Sequence, residues 1–133
     1  ALKVSLIGAF VALVPEGPAP DLDALAADCV RDFDAFRAPL TAADRDRRLR
    51  SPLSERQLAR LDAWGYPHVF EDFRFHMTLT GRLDEARREP VRAALAERYG
   101  AVAAPMPVDA LCVFRQPDRA GRFAILARFP FEA

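Results

Sequence analysis

Apolar and polar residues alternate without a break through Phe73-Arg74-Phe75-His76-Met77-Thr78-Leu79-Thr80-Gly81-Arg82-Leu83. Successive side chains of a β-strand point to opposite faces. The run therefore predicts a strand whose core face carries Phe73, Phe75, Met77, Leu79 and Leu83. Its other face would carry Arg74, His76, Thr78, Thr80 and Arg82.

Around this strand the pattern changes period. Val4 to Val14 is apolar and rich in β-branched and aromatic residues, which predicts two strands meeting at a Gly8-Ala9 turn and ending at Pro15. Leu22, Leu25, Cys29, Phe33 and Phe36 recur at helical spacing up to Arg37, with Asp21 as N-cap and Pro39 closing the helix. Residues 41–50 are densely charged and read as a solvated helical turn or loop, or as an arginine flap near an anionic ligand. Ser54-Glu55-Arg56-Gln57 fits a capping box, followed by Leu58, Leu61 and Trp64 on one face and by Gly65 as the stop. A further helix starts between Asp84 and Pro90 and runs to about Tyr99, with Pro90 comfortable only in its first turn. Val108–Arg115 and Arg122–Phe129 form a closing hairpin around the loop 116–121. The class is α+β, a largely antiparallel sheet with about three helices.

The two hairpins echo each other. In each, an apolar strand is followed by a turn and by a strand that opens on Phe (Phe10, Phe123) and closes before Pro (Pro15, Pro130). A duplicated architecture gives this pattern, with residues 1–20 as the last hairpin of a first lobe and residues 21–133 as a second. Chance similarity of two apolar hairpins is the competing account. No methionine precedes Met77, which fits either a trimmed initiator before Ala1 or the back part of a longer protein.

At 133 residues the chain is the size of one domain, and 51% apolar content is enough for a single core. The 19 cations balance 19 anions, which argues against a general nucleic-acid or membrane-surface binder but leaves room for a local cationic cleft. The apolar stretch near the N-terminus is too short to span a bilayer. Cys29 and Cys112 are the only cysteines and read as buried thiols rather than a disulfide, in keeping with a cytoplasmic location.

The chemistry concentrates on the alternating strand. His76-Met77-Thr78 puts an imidazole and a hydroxyl on one face, about 7 Å apart at the backbone. The imidazole can take or give a proton near neutral pH, and the hydroxyl can bond a non-bridging phosphate oxygen. Arg74, Thr80 and Arg82 add phosphate-seeking groups to that face. Cleaving a phosphodiester without a metal needs both a base and an acid, so a complete site of this kind wants two such motifs. His68, in His68-Val69-Phe70, lacks the hydroxyl partner and reads as a surface loop histidine, with a second catalytic group or substrate contact as the alternative.

Trp64-Gly65-Tyr66-Pro67 followed by Phe73 to Leu83 resembles the second signature of the phosphonate-operon proteins, a branch of the two-histidine (2H) phosphoesterase superfamily. The likeness extends through residues 10–15, 36–40 and 107–111, and covers the C-terminal part of such a protein. The resemblance implies one lobe of a bilobal α+β fold whose cleft receives one His-x-Thr/Ser motif from each half. It implies metal-independent hydrolysis of a cyclic or ribose-linked phosphodiester in phosphonate metabolism, with no cofactor. It transfers catalytic roles to His76 and Thr78. Arg74, Arg82 and Tyr66 are candidate substrate contacts. The expected partners are a small phosphodiester or nucleotide, or an RNA end, and no membrane. The second histidine would come from a missing N-terminal lobe or from a dimer mate. Two other readings stand beside this one. One is a non-catalytic module that binds nucleotides or RNA ends, and the other is a metal enzyme using His68, His76, Glu71 and Asp72, for which no recognised ligand spacing emerges.

Overall fold

Gly8 takes φ +58, a left-handed conformation open to glycine, and so closes a two-residue hairpin of the II′ kind. The hairpin joins β1 (Leu2–Ile7) to β2 (Phe10–Pro15), with Leu2 opposite Pro15 and Ile7 opposite Phe10. The computed structural model describes residues 1–118 and 120–132 of the chain. These fall into two compact units, Ala1–Ala103 and Ala104–Ala133.

In the first unit, alternation sorts β1 and β2 into two faces. Leu2, Val4, Leu6, Val11 and Leu13 share the face that packs against Val91, Leu95, Ala96 and Tyr99 of the last helix. Ser5, Ile7, Phe10, Ala12 and Val14 lie on the opposite face. The third strand, β3 (Met77–Thr78), runs antiparallel to β2, with Ala12 opposite Thr78 and Leu13 opposite Met77. The first hairpin and the histidine strand thus belong to one sheet of order β1-β2-β3.

The long strand expected over Phe73–Leu83 is reduced to those two paired residues. Beyond Thr78 the amides of Leu79 and Thr80 both donate to the Val11 carbonyl, at 2.9 and 3.3 Å, and the period of two ends there. The expected core face is correspondingly open at Met77 and Leu79, which are 41% and 42% exposed. The last helix covers chiefly β1 and β2, and only Leu83 from that face joins its cluster.

The described residues form four α-helices, against the expected about three. In α1 (Pro20–Phe33) the N-cap is Ala19, not Asp21, because Pro20 takes the first helical position that suits its fixed φ. Asp21 and Asp23 lie in the first turn, where carboxylates favour the helix dipole. A 3-10 turn, Asp34–Phe36, prolongs it, but Phe33 and Phe36 are 55% and 84% exposed, so the expected core face is open at this end. The charged stretch forms α2 (Ala42–Leu49), capped by the Thr41 hydroxyl, which accepts from the Asp44 amide at 3.1 Å. The capping box of α3 (Glu55–Trp64) is present in both directions, Gln57 N–H to Ser54 Oγ and Ser54 N–H to Gln57 Oε1. Pro90 is the sixth residue of α4 (Glu85–Gly100), not part of its first turn. Its missing N–H leaves the Ala86 carbonyl without its usual intrahelical donor.

The second unit is a hairpin of β4 (Ala110–Arg115) and β5 (Ala124–Pro130), with a register shift at Val113/Phe114. Its loop closes on Asp118, whose Oδ1 accepts from the amides of Ala120 and Gly121 at 2.9 and 2.7 Å. Arg119, within that loop, lies outside the described residues. Cys112 is exposed, contrary to the expected buried thiol, and Cys29 is half-buried; both are free. The Cys29 thiol is pushed up by burial and by Asp32 and Asp28. No helix among the described residues is long and apolar enough to cross a membrane.

Candidate functional site

His76 immediately precedes β3, and its ring is held from two sides. Its Nδ1 donates to the Arg74 carbonyl at 2.8 Å. A carbonyl oxygen only accepts, so the neutral ring carries its hydrogen on Nδ1 and keeps a lone pair on Nε2. Among the described residues no hydrogen bond occupies Nε2, and the side chain is exposed. The Phe10 ring lies against the imidazole, centroids 5.7 Å apart and planes tilted by 45°. Phe10 shares its face of β2 with Ala12, and Thr78 stands opposite Ala12. The ring contact therefore puts His76 on the face that bears Thr78.

Thr78 is exposed above a small neighbour. Ala12 beside it is 0% exposed and pairs in turn with Ser5, so Ser5, Ala12 and Thr78 make one row across the three strands. Among the described residues the Thr78 hydroxyl has no protein partner. An imidazole nitrogen with a free lone pair and a free hydroxyl two residues on can accept a proton and donate to an anionic oxygen.

The approach to His76 is fixed by α3. Arg56 donates to both Asp72 oxygens, at 2.8 and 2.9 Å, and Gln57 Nε2 adds a third bond to Asp72 at 3.3 Å. The Arg56 guanidinium holds the Asp72 carboxyl below the usual carboxylate range. Arg60 pairs with Glu71, whose carboxyl is lowered first by its own backbone amide and then by Arg60. Between these pairs Phe70, which opens the 3-10 turn Phe70–Asp72, takes φ +55, a costly conformation for a side chain of its size. Its ring is packed by Trp64 edge-on at 5.1 Å and by the guanidinium carbons of Arg60 at 4.6 Å and Arg31 at 5.0 Å.

The other candidates fall in different places. Arg74 and Arg82 are exposed, and among the described residues neither has an ion pair. The Thr80 side chain is bonded within the fold rather than open like that of Thr78. Its hydroxyl accepts from the Val11 amide at 3.0 Å and donates to the Gly81 carbonyl at 2.9 Å. Tyr66 sits in a separate cluster, with Arg48 4.7 Å over its ring and His68 edge-on at 5.6 Å. Helix α2, formed by the charged stretch, is tied to α3 by Arg45, which donates to both Asp62 oxygens at 2.8 and 3.2 Å. Glu71 and Asp72 are committed to arginines, and no three His, Cys, Asp or Glu among the described residues converge on a point that could hold a metal.

A cavity of about 300 Å³ opens on the same sheet face, bounded by Ser5, Ile7 and Val14 of the first hairpin, Asp23 of α1, and Arg74 and Phe75. Phe10 and Ser5 were not legible as site residues, because the β2–β3 pairing that brings them to His76 and Thr78 joins segments about sixty residues apart. The uniformly apolar Phe10–Val14 gave no sign of which face would meet the site.

Residues 1–124 match the family model described as Protein of unknown function (DUF1045). A ribose 1,5-bisphosphate phosphokinase PhnN of Janthinobacterium sp. (strain Marseille) is 39% identical over 127 residues, covering 92% of this chain and 28% of that protein. The protein of the same name from Laribacter hongkongensis (strain HLHK9) is 32% identical over 124 residues, covering 93% of this chain and again 28% of its own length. The chain thus spans 28% of the length of these curated relatives. No solved structure matches.

Proposed function

The chain belongs to the DUF1045 family, and from that premise we propose that it is the second lobe of a 2H-type phosphodiesterase that hydrolyses a cyclic or ribose-linked phosphodiester in phosphonate metabolism. In this reading residues 1–20, the last hairpin of a first lobe, share a sheet with the histidine strand of the second lobe, residues 21–133. The observation that carries the proposal is the His76 imidazole, tied through Nδ1 to the Arg74 carbonyl with Nε2 open, on the sheet face where Thr78 offers a free hydroxyl.

The chemistry follows from those two groups. His76 Nε2 takes the proton of an attacking water, and the new P–O bond forms as the bond to one ribose oxygen breaks. Thr78 donates to a non-bridging oxygen as negative charge grows there. The departing ribose oxygen needs a proton from a second acid, which in this reading a first lobe or a second copy of the chain supplies. No metal takes part.

The relatives' name narrows the substrate. If a diester bridges C1 and a neighbouring hydroxyl of a ribose already phosphorylated at C5, opening it at the neighbouring oxygen leaves ribose 1,5-bisphosphate. That is the molecule in the name of both relatives. Their phosphokinase activity is not carried over to this segment, whose single lysine is Lys3 and whose sequence has no Gly-x-x-x-x-Gly-Lys run to cradle a nucleotide phosphate.

The test is turnover of a ribose cyclic phosphate or a 2′,3′-cyclic nucleotide by the complete protein. His76→Ala should lower kcat by about 10²-fold or more, and exhaustive chelation should leave the rate unchanged. Full activity in His76→Ala overturns the reading. Binding of the nucleotide without turnover, weakened by Thr78→Ala, would favour a binding module instead.

A further inference from the structure

We propose that the cavity beside Arg74 seats the non-reacting, phosphate-bearing end of a sugar-phosphate substrate, with Arg74 as the residue that selects for the second phosphate. The inference rests on the phosphodiesterase reading above and gives the substrate's second phosphate a seat on the protein.

Among the residues that line the cavity, three carry polar side chains, Arg74, Ser5 and Asp23, and the others include the apolar Ile7, Val14 and Pro15. At about 300 Å³ it lies at the lower end of the range for small-molecule sites, a size suited to a pentose phosphate. Arg56 and Arg60 are spent on Asp72 and Glu71, whereas Arg74 has no ion pair among the described residues. An unpaired guanidinium presents a planar fork of donors that matches two phosphate oxygens. Asp23 repels a phosphate but accepts a hydrogen bond from a sugar hydroxyl. A ligand that satisfies both has an anionic end and a hydroxyl-bearing body, which describes a sugar phosphate better than a free phosphate or a flat base.

The cavity and the reacting groups are joined in two ways. Ser5, Ala12 and Thr78 stand in register on adjacent strands, so Ser5 and Thr78 are two strand spacings apart, about 10 Å at the backbone. A pentose carrying phosphorus at both ends covers that span with the side chains closing the remainder. Arg74 also belongs to both sites, since it lines the cavity and its carbonyl accepts from His76 Nδ1.

The test is calorimetric titration of the 133-residue chain with ribose 5-phosphate, ribose and inorganic phosphate. Ribose 5-phosphate should bind about tenfold or more tightly than either part alone, and Arg74→Ala should remove most of that advantage, with Arg74→Lys intermediate. Arg74 is exposed, and an unchanged circular dichroism spectrum would confirm that the variant is folded. Equal binding of the three probes, or an Arg74→Ala variant that binds ribose 5-phosphate as the parent does, overturns the proposal. Should that happen while His76→Ala still abolishes turnover in the complete protein, the phosphodiesterase reading survives without this seat. Arg74-dependent binding in a protein whose turnover ignores His76 would sink the phosphodiesterase reading and keep the sugar-phosphate site.

Discussion

Arg56 grips Asp72 through two hydrogen bonds, Nε to Oδ2 at 2.8 Å and Nη2 to Oδ1 at 2.9 Å, four residues ahead of His76. The pair ties α3 to the turn that launches the histidine segment. Because the Asp72 carboxyl is held below its ordinary value, its contribution to stability is full above the unfolded carboxylate pKa of about 4 and is lost as pH falls through the lower folded value. Asp72→Asn should therefore lower the thermal midpoint at neutral pH, and the gap to the parent should close on acidification below about pH 4. Melting curves followed by circular dichroism across that range check it. A gap that stays constant into strong acid would mean the carboxylate charge is not what holds the turn.

Phe70 sets backbone against side chain. Its φ of +55 is unfavourable for a residue with a Cβ, while its ring is packed by Trp64, Arg60 and Arg31. Phe70→Ala and Phe70→Gly both lose the ring, but only glycine is relieved of the backbone cost. Phe70→Gly should be the more stable of the two by about 1 kcal/mol. Denaturant unfolding of the two variants decides this, and a more stable alanine variant would show that the turn relaxes once the ring is gone.

What could be read from the sequence was what neighbouring residues decide among themselves. The Gly8-Ala9 turn, the Ser54–Gln57 capping box and the Gly65 stop are all present, because each is settled within four residues by φ preference or a local hydrogen bond. The start of α1 lies one residue before the Asp21 cap that the pattern predicts, although its signal is local. Pro20 at the first helical position was the better marker than Asp21. The histidine strand was overextended for another reason. Alternation gives a side chain a face, but a ladder needs a partner, and β2 pairs with only Met77 and Thr78 before the chain turns onto Val11. The same limit hid Phe10 and Ser5, whose place beside the site depends on a pairing between distant segments.

Gly65 closes α3 at φ +72, and its N–H donates to the Leu61 carbonyl at 2.9 Å. A Cβ at this position would come within 3.0 Å of Arg37 Nη1 and 3.2 Å of its Cδ. Arg37 also donates to the Ala63 carbonyl at 3.2 Å, so moving it away costs the helix end a further bond. Gly65→Ala should destabilise the fold by about 1–2 kcal/mol. Adding Arg37→Ala frees the space but not the φ, and should recover only part of the loss. Full recovery in the double variant, measured by denaturant midpoints, would assign the whole penalty to the contact.

Thr78 and Thr80 differ by two positions and, in this structure, by kind of work. The Thr80 hydroxyl is consumed on both sides, accepting from the Val11 amide and donating to the Gly81 carbonyl, and Val11 is a core residue at 0% exposure. Thr80→Val would strand that amide and should cost about 1–3 kcal/mol of stability. Thr78 is exposed beside Ala12, so Thr78→Val should change stability by no more than about 0.5 kcal/mol. The order should reverse in turnover of a cyclic phosphodiester by the complete protein. On the proposed phosphodiesterase mechanism Thr78→Val removes the donor to the phosphate and should lower kcat by about tenfold or more, whereas Thr80→Val should leave kcat within a few fold once the protein is folded. Measuring unfolding and kinetics on the same two proteins gives a crossed pair of effects. If both quantities fall together in Thr80→Val and neither moves in Thr78→Val, the Thr78 hydroxyl plays no part in turnover.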